Sequence, residues 1–206
     1  MFWYNQEVEA LEAKEVRPKT SQPRLLLYGS SSMRLWKDAP EHFPEFEVIN
    51  QGFGGSTLAA CAWFFKRLVP MHRPDILLFY GGDNDLGDGR HPEEVFFSFK
   101  GLMELKNELC GAIPMAFISV KPSPTRHHVL GSIRYTNEII EKEIADKHPD
   151  CTYINVFDEM EATNQQGNSL FDHDGLHLSA GGYELWKRIV REGFLDAFVA
   201  DVVPNS

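Results

Sequence analysis

The 206-residue sequence predicts an α/β fold: a three-layer α/β/α sandwich around a five-stranded parallel sheet. Two observations carry that prediction. Five short apolar runs, 24–28 (RLLLY), 46–50 (FEVIN), 75–80 (DILLFY), 115–120 (MAFISV) and 152–157 (TYINVF), are nearly continuous rather than alternating. A strand with one wet face alternates polar and apolar residues, whereas a strand covered on both faces, as in a parallel sheet, does not. Longer segments of helical character separate the runs: 57–68, 92–110 and 133–147, with 180–203 after the last. Parallel strands need such crossovers, and these are right-handed.

The helical segments carry their own signals. In 92–110, Val95, Phe96, Phe99, Leu102, Met103 and Leu105 fall mostly three or four residues apart. That spacing makes one buried helix face, and Pro92 suits the first turn. Residues 4–15, rich in Glu and Ala, predict an appended helix, and 17–23 (RPKTSQP) a connector. The organisation read from the chain is therefore an N-terminal helix and connector over 1–23 and a main domain over 24–206. No internal repeat or interdomain linker interrupts it.

Composition narrows the class. A chain of this length buries a substantial core without disulfides or metals. Apolar residues make up 43% and charged residues 24%, and a formal charge of −10 argues against nucleic acid or anionic membrane as partner. Cys61, Cys110 and Cys151 are widely spaced and form no CxxC pair, so neither a zinc ribbon nor a redox motif is available, and free thiols are expected. The N-terminus lacks a signal-peptide pattern and no stretch reaches transmembrane length, which makes a reduced cytoplasmic setting the expectation. The balance of charge and apolar content is compatible with monomer or homodimer, and residues 1–20 are candidates for covering a sheet edge or meeting a second subunit.

The chemistry is concentrated where the predicted strands end. In open parallel sheets ligands bind just beyond the carboxyl ends of the strands. The first strand runs into Gly29-Ser30-Ser31-Ser32 and the second into Asn50-Gln51-Gly52-Phe53-Gly54-Gly55. The third runs into Gly81-Gly82-Asp83-Asn84, and a later loop reads Asp174-Gly175-Leu176-His177. Asp174 and His177 are three residues apart, a spacing at which a carboxylate reaches its neighbour's imidazole in a tight turn or first helical turn. A carboxylate on Nδ1–H leaves Nε2 free as a general base, which a hydroxyl nucleophile requires. A hydroxyl, a flexible backbone, a side-chain amide and an acid–base pair together make an acyl-transfer set.

These four blocks, in this order, resemble the SGNH hydrolases, the GDSL-type lipase and esterase superfamily, over roughly residues 24–200. The resemblance implies a flavodoxin-like sheet, Ser31 as nucleophile, and Asp174 and His177 completing a triad. It also implies oxyanion donors from the Gly55 backbone, the Asn84 amide and the Ser31 N–H. One position departs from the family: Ser30 stands where the aspartate of the GDS block is usual, and register with Gly29 favours Ser31 over its two serine neighbours as nucleophile.

Other features read as ordinary. The stretch around Asp83, Asn84, Asp85 and Asp88 fails as a calcium loop because its obligatory glycine position is Asp88. No GxSxG elbow occurs, which argues against the ordinary α/β-hydrolase fold, and without GxGxxG or GxxxxGK[ST] a nucleotide cofactor has no foothold; no cofactor or metal is expected. Trp36, Trp63 and Phe53 are expected in the core, with Trp36 and Phe53 the first candidates for pocket walls. Arg126, His127 and His128 fall in a proline-rich loop after the fourth strand, as loop residues or pocket lining. Asp172 and His173 form a decoy pair beside the proposed triad. The leading expectation is a serine esterase that hydrolyses a small carboxylic ester with a short, acetyl-like acyl group through an acyl-enzyme. An acyltransferase using the same site is the runner-up, and a non-catalytic ligand-binding relative the third reading.

Overall fold

A computed structural model describes residues 1–16, 18–165 and 170–202. Arg17 of the predicted connector and Val203, the last residue of the predicted C-terminal helix, lie outside them. The strands are β1 (Arg24–Gly29), β2 (Glu47–Gly52), β3 (Ile76–Tyr80), β4 (Met115–Ile118) and β5 (Cys151–Ile154). They form one sheet in the order β2-β1-β3-β4-β5, parallel throughout. Leu26 pairs with Ile49 on one side and Leu77 on the other, so β1 lies inside the sheet.

The helices are α1 (Asn5–Glu12), α2 (Ser31–Arg34), α3 (Ala39–His42), α4 (Leu58–Leu68), α5 (Asp83–Gly87), α6 (Pro92–Cys110), α7 (Leu130–Lys147), α8 (Phe157–Gln165), α9 (Ala180–Val190) and α10 (Asp196–Val202). Alternate strand residues face opposite layers, as a period of two dictates. Leu26, Tyr28, Leu77, Phe79 and Phe117 pack under α4, α6 and α7. Leu25, Leu27, Ile76, Leu78 and Ile118 pack against Trp36, Trp186, Val190 and Leu195 on the other face. This is the three-layer α/β/α sandwich expected from the apolar runs.

Several boundaries differ from the sequence expectation, each for a local reason. β4 ends at Ile118 rather than 120 because the Asn137 side chain takes both the N–H and the C=O of Val120, at 2.8 and 2.9 Å. β5 ends at Ile154 rather than 157 because the N–H groups of Val156 and Phe157 donate to Ser119 Oγ, and Phe157 opens α8. The segment expected as one helix from 180 is broken by a π turn, Arg191–Leu195, which buries both Phe194 and Leu195.

Trp63 is not core. It lies 68% exposed on α4, whose buried face is Leu58, Cys61, Phe65 and Leu68. Trp36 and Phe53 are buried in the core, and Trp36 also lines a surface cavity with Glu7, Arg34 and Lys37. Trp36 lies against Phe43, Tyr183 and Trp186, and Phe53 against Tyr4, Tyr28 and Phe64. Cys61 and Cys151 are buried and Cys110 half-buried, all free thiols. Among the described residues, no helix is long and apolar enough to cross a membrane.

Candidate active site

At the end of β1 the chain turns sharply, and Gly29 makes the turn possible. Its φ is +130°, and a Cβ there would lie 1.9 Å from the Tyr80 carbonyl oxygen. With no side chain in the way, the Ser30 N–H donates to Tyr80 O at 2.9 Å and the Phe53 N–H to Gly29 O at 3.0 Å. The loops after β1, β2 and β3 are thereby tied at one point, beside the place where the strand order reverses.

Ser31 is the first residue of α2 and only 9% exposed. Its Oγ lies 3.1 Å from His177 Nε2, and His177 Nδ1 lies 2.6 Å from Asp174 Oδ2. The hydroxyls of Ser30 and Ser32 are buried with no hydrogen-bond partner among the described residues. Of the three consecutive serines, Ser31 alone faces the imidazole. Asp172 and His173 stay outside this relay, and the Asp172 N–H donates to His177 O.

The Asp174–His177 turn orients itself. Asp174 Oδ1 accepts the N–H groups of Leu176 and His177, at 2.8 and 2.9 Å. Those two bonds, then the imidazole, hold the Asp174 carboxyl well below the usual carboxylate range. A depressed carboxyl contributes its stabilisation above its unfolded value and loses it as the pH falls. Asp174 therefore remains charged wherever the ordinary carboxylates are charged. The Thr125 hydroxyl donates to Asp174 O at 2.6 Å, and the Thr125 N–H to Gly175 O, pinning the turn to the segment after β4. Across the site, the Tyr183 hydroxyl donates to Ser32 O.

The predicted oxyanion donors converge on the same edge. The Ser31 N–H, at the start of a helix, has no acceptor among the described residues, as expected of a first-turn amide. The Gly55 N–H has none either. Gly55 adopts φ +63°, the left-handed region that glycine favours, and a Cβ there would meet nothing within 4 Å. Asn84 Nδ2 donates to Ser56 O at 3.0 Å, which fixes the amide while its second N–H remains to be used. Asn50, the first residue of the second block, donates to Met33 O and accepts the Gly52 N–H, joining β2 to α2.

The chain matches the GDSL-like lipase/acylhydrolase family over residues 27–185. It belongs to that family. The membership makes it a carboxylic ester hydrolase. A Streptococcus pneumonia protein shares 20% identity and a TM-score of 0.77, over 93% of this chain and 94% of its own. A family 3 carbohydrate esterase from Clostridium thermocellum shares 15% and 0.73, over 88% and 100%. A catalytic mutant of an acetylxylan esterase from Geobacillus stearothermophilus shares 11% and 0.67, over 85% and 96%. At these identities the likeness is one of fold. No curated protein sequence matches the chain.

In this GDSL-like chain Ser30 occupies the usual aspartate position, and the buried charge beside the site is supplied elsewhere. Asp83, 3% exposed, accepts a hydrogen bond from Lys121 Nζ at 2.7 Å, and Lys121 also reaches the Tyr80 hydroxyl at 3.0 Å. Burial pushes the Asp83 carboxyl up, but Lys121 and Tyr80 override it and hold it below its usual value. The pairing had no sequence signal, because Lys121 and Asp83 are 38 residues apart. Arg126 lies across Gly87, one turn beyond Asn84, with its Nε unpartnered among the described residues, and His127 and His128 are exposed.

Asp85 is bound differently. Its Oδ2 accepts the Leu58 N–H at 2.8 Å, fastening α5 to the start of α4, while Oδ1 is buried without a partner among the described residues. Burial pushes its carboxyl up to about 6. A raised carboxyl stabilises the fold below its unfolded value, and that contribution is lost as the pH rises through about 6. Asp85→Asn keeps an acceptor for Leu58 and removes the charge. Urea titrations should find it about 1–2 kcal/mol more stable than wild type at pH 8 and no more stable at pH 4.

Proposed function

We propose that this ester hydrolase is a serine esterase acting on small, short-acyl, acetyl-like esters through an acyl-enzyme. The observation that carries the reading is the relay from Ser31 Oγ through His177 to Asp174, at 3.1 and 2.6 Å, beside unpaired backbone donors. In the first half-reaction His177 Nε2 takes the Ser31 proton as Oγ attacks the ester carbonyl carbon. The N–H groups of Ser31 and Gly55 and the Asn84 amide receive the oxyanion. The imidazolium then gives its proton to the departing alcohol. In the second half-reaction His177 deprotonates water, which attacks the acyl carbon, and collapse restores the Ser31 hydroxyl and releases the acid.

Two features support a short acyl group. The side chains of His177 and Asp174 are 27% and 38% exposed, so the relay lies at an open edge rather than inside an apolar tunnel. Two structural relatives are, by name, an acetylxylan esterase and a carbohydrate esterase.

The test is turnover of p-nitrophenyl esters from acetate to decanoate, with peptide mapping after treatment with a p-nitrophenyl phosphonate. Fastest turnover on acetate and a phosphonyl adduct on Ser31 are expected. A preference for decanoate would overturn the short-acyl reading, and an adduct elsewhere would overturn the nucleophile. Asn84→Ala should lower kcat by about 10²–10³ with a much smaller change in KM, because its donor acts on charge that develops in the transition state. Steady-state kinetics on the acetate ester would show it.

A further inference from the structure

We propose that Tyr4 and Glu7, on the N-terminal segment, are positioning residues that hold the Gly55 N–H in its oxyanion-binding orientation. The proposal rests on the serine esterase reading of the site. Both residues lie outside the matched family region, 27–185.

The argument is the hydrogen bonding of three consecutive peptide groups. The Phe53–Gly54 peptide donates its N–H to Glu7 Oε2 at 2.9 Å. The Gly55–Ser56 peptide accepts the Tyr4 hydroxyl on the Gly55 carbonyl at 3.0 Å. Between them lies the Gly54–Gly55 peptide, whose N–H is the candidate donor. Two adjacent glycines have the widest choice of backbone conformation, so this peptide would otherwise rotate freely. Fixing its neighbours on both sides removes that freedom before the substrate arrives, which is how preorganised donors stabilise a transition state.

The segment that supplies these groups is itself anchored. Tyr4, Val8 and Leu11 are buried in the core layer that contains α4. The Tyr4 ring packs edge-on against Phe53 and Phe64. At the far end of α1, Glu12 takes both Nε and Nη2 of Arg67, at 2.7 and 2.6 Å. The other Glu7 oxygen faces Arg34 Nε at 3.6 Å, three residues beyond Ser31. Glu7 thus spans the nucleophile's helix and the glycine loop.

The test compares Tyr4→Phe, Glu7→Ala, Glu7→Gln and the Tyr4→Phe/Glu7→Ala pair with wild type on p-nitrophenyl acetate. Tyr4→Phe keeps the ring packing and removes only the hydroxyl. Expected are a fall in kcat of about tenfold for Tyr4→Phe and for Glu7→Ala, a larger fall for the pair, and KM within about twofold. Glu7→Gln, which retains an acceptor for Gly54, should recover most of the loss. Glu12→Gln loosens α1 without touching the loop and should lower the melting temperature while leaving kcat unchanged. A folded pair variant with kcat within twofold of wild type would overturn the proposal, as would a loss that Glu12→Gln reproduces. Phosphonylation of Ser31 in wild type separates these outcomes from failure of the esterase reading. If wild type neither turns over nor is phosphonylated, that reading falls and this proposal with it.

Discussion

Ser31→Ala is expected to lower kcat on p-nitrophenyl acetate by about three orders of magnitude or more, with the melting temperature almost unchanged. The large kinetic effect follows from the relay. Without Oγ, His177 Nε2 has no hydroxyl at 3.1 Å to deprotonate, and no acyl-enzyme can form. The small stability effect follows from what remains. Among the described residues the Ser31 side chain makes no hydrogen bond other than that to His177, and alanine is the best helix former for the first turn of α2. The Ser31 N–H also survives the substitution, so residual turnover above background is consistent with donors that still receive an oxyanion. His177→Ala should have nearly the same effect. Parallel kinetics and thermal melts decide the matter, and a folded Ser31→Ala protein with wild-type turnover would remove Ser31 from the mechanism.

The second large effect is on stability. Lys121→Met should destabilise the fold by about 3–5 kcal/mol at neutral pH, because it leaves the Asp83 carboxylate buried without its cation. In a chain of this size that corresponds to a fall in melting temperature of roughly 10 °C or more. The pH dependence separates this cause from lost packing. In wild type the Asp83 carboxyl is held low, so its contribution is present above the ordinary carboxylate range and is lost as the pH falls. Without Lys121, burial dominates and the carboxyl rises, so the variant recovers by taking up a proton. The gap between wild type and variant should therefore narrow on acidification, and Lys121→Met/Asp83→Asn should regain part of the loss at neutral pH. A gap that is the same at pH 4.5 and pH 7.5 would mean that the packing of the Lys121 stem, not the charge of Asp83, sets the cost.

The layers of this protein were legible along the chain because burial on both faces leaves an uninterrupted apolar run, and the segments 24–28 and 75–80 gave two central strands nearly to the residue. The candidate site was legible in its blocks because Asp174 and His177 are local in sequence, and because Gly29, Gly55 and Asn84 stand at strand ends. Strand ends set by a distant side chain were not legible, as with Asn137 on Val120 and Ser119 on Phe157. Trp63 failed for another reason: a large aromatic residue on an amphipathic helix reads as core from composition, and only packing shows which face it takes.

By itself, then, the sequence determined the sandwich, the order of the four blocks and the residue types available for acyl chemistry, since each depends on periodicity or on neighbours a few residues apart. Register with Gly29 favoured Ser31 among the three serines, and the tertiary structure brought its Oγ to His177 across 146 residues of chain. The tertiary structure alone decided that Lys121 neutralises Asp83 and that Tyr4 and Glu7 grip the glycine loop, across 51 and 47 residues. Such contacts leave no local pattern, because the partners are chosen by how the layers close on one another.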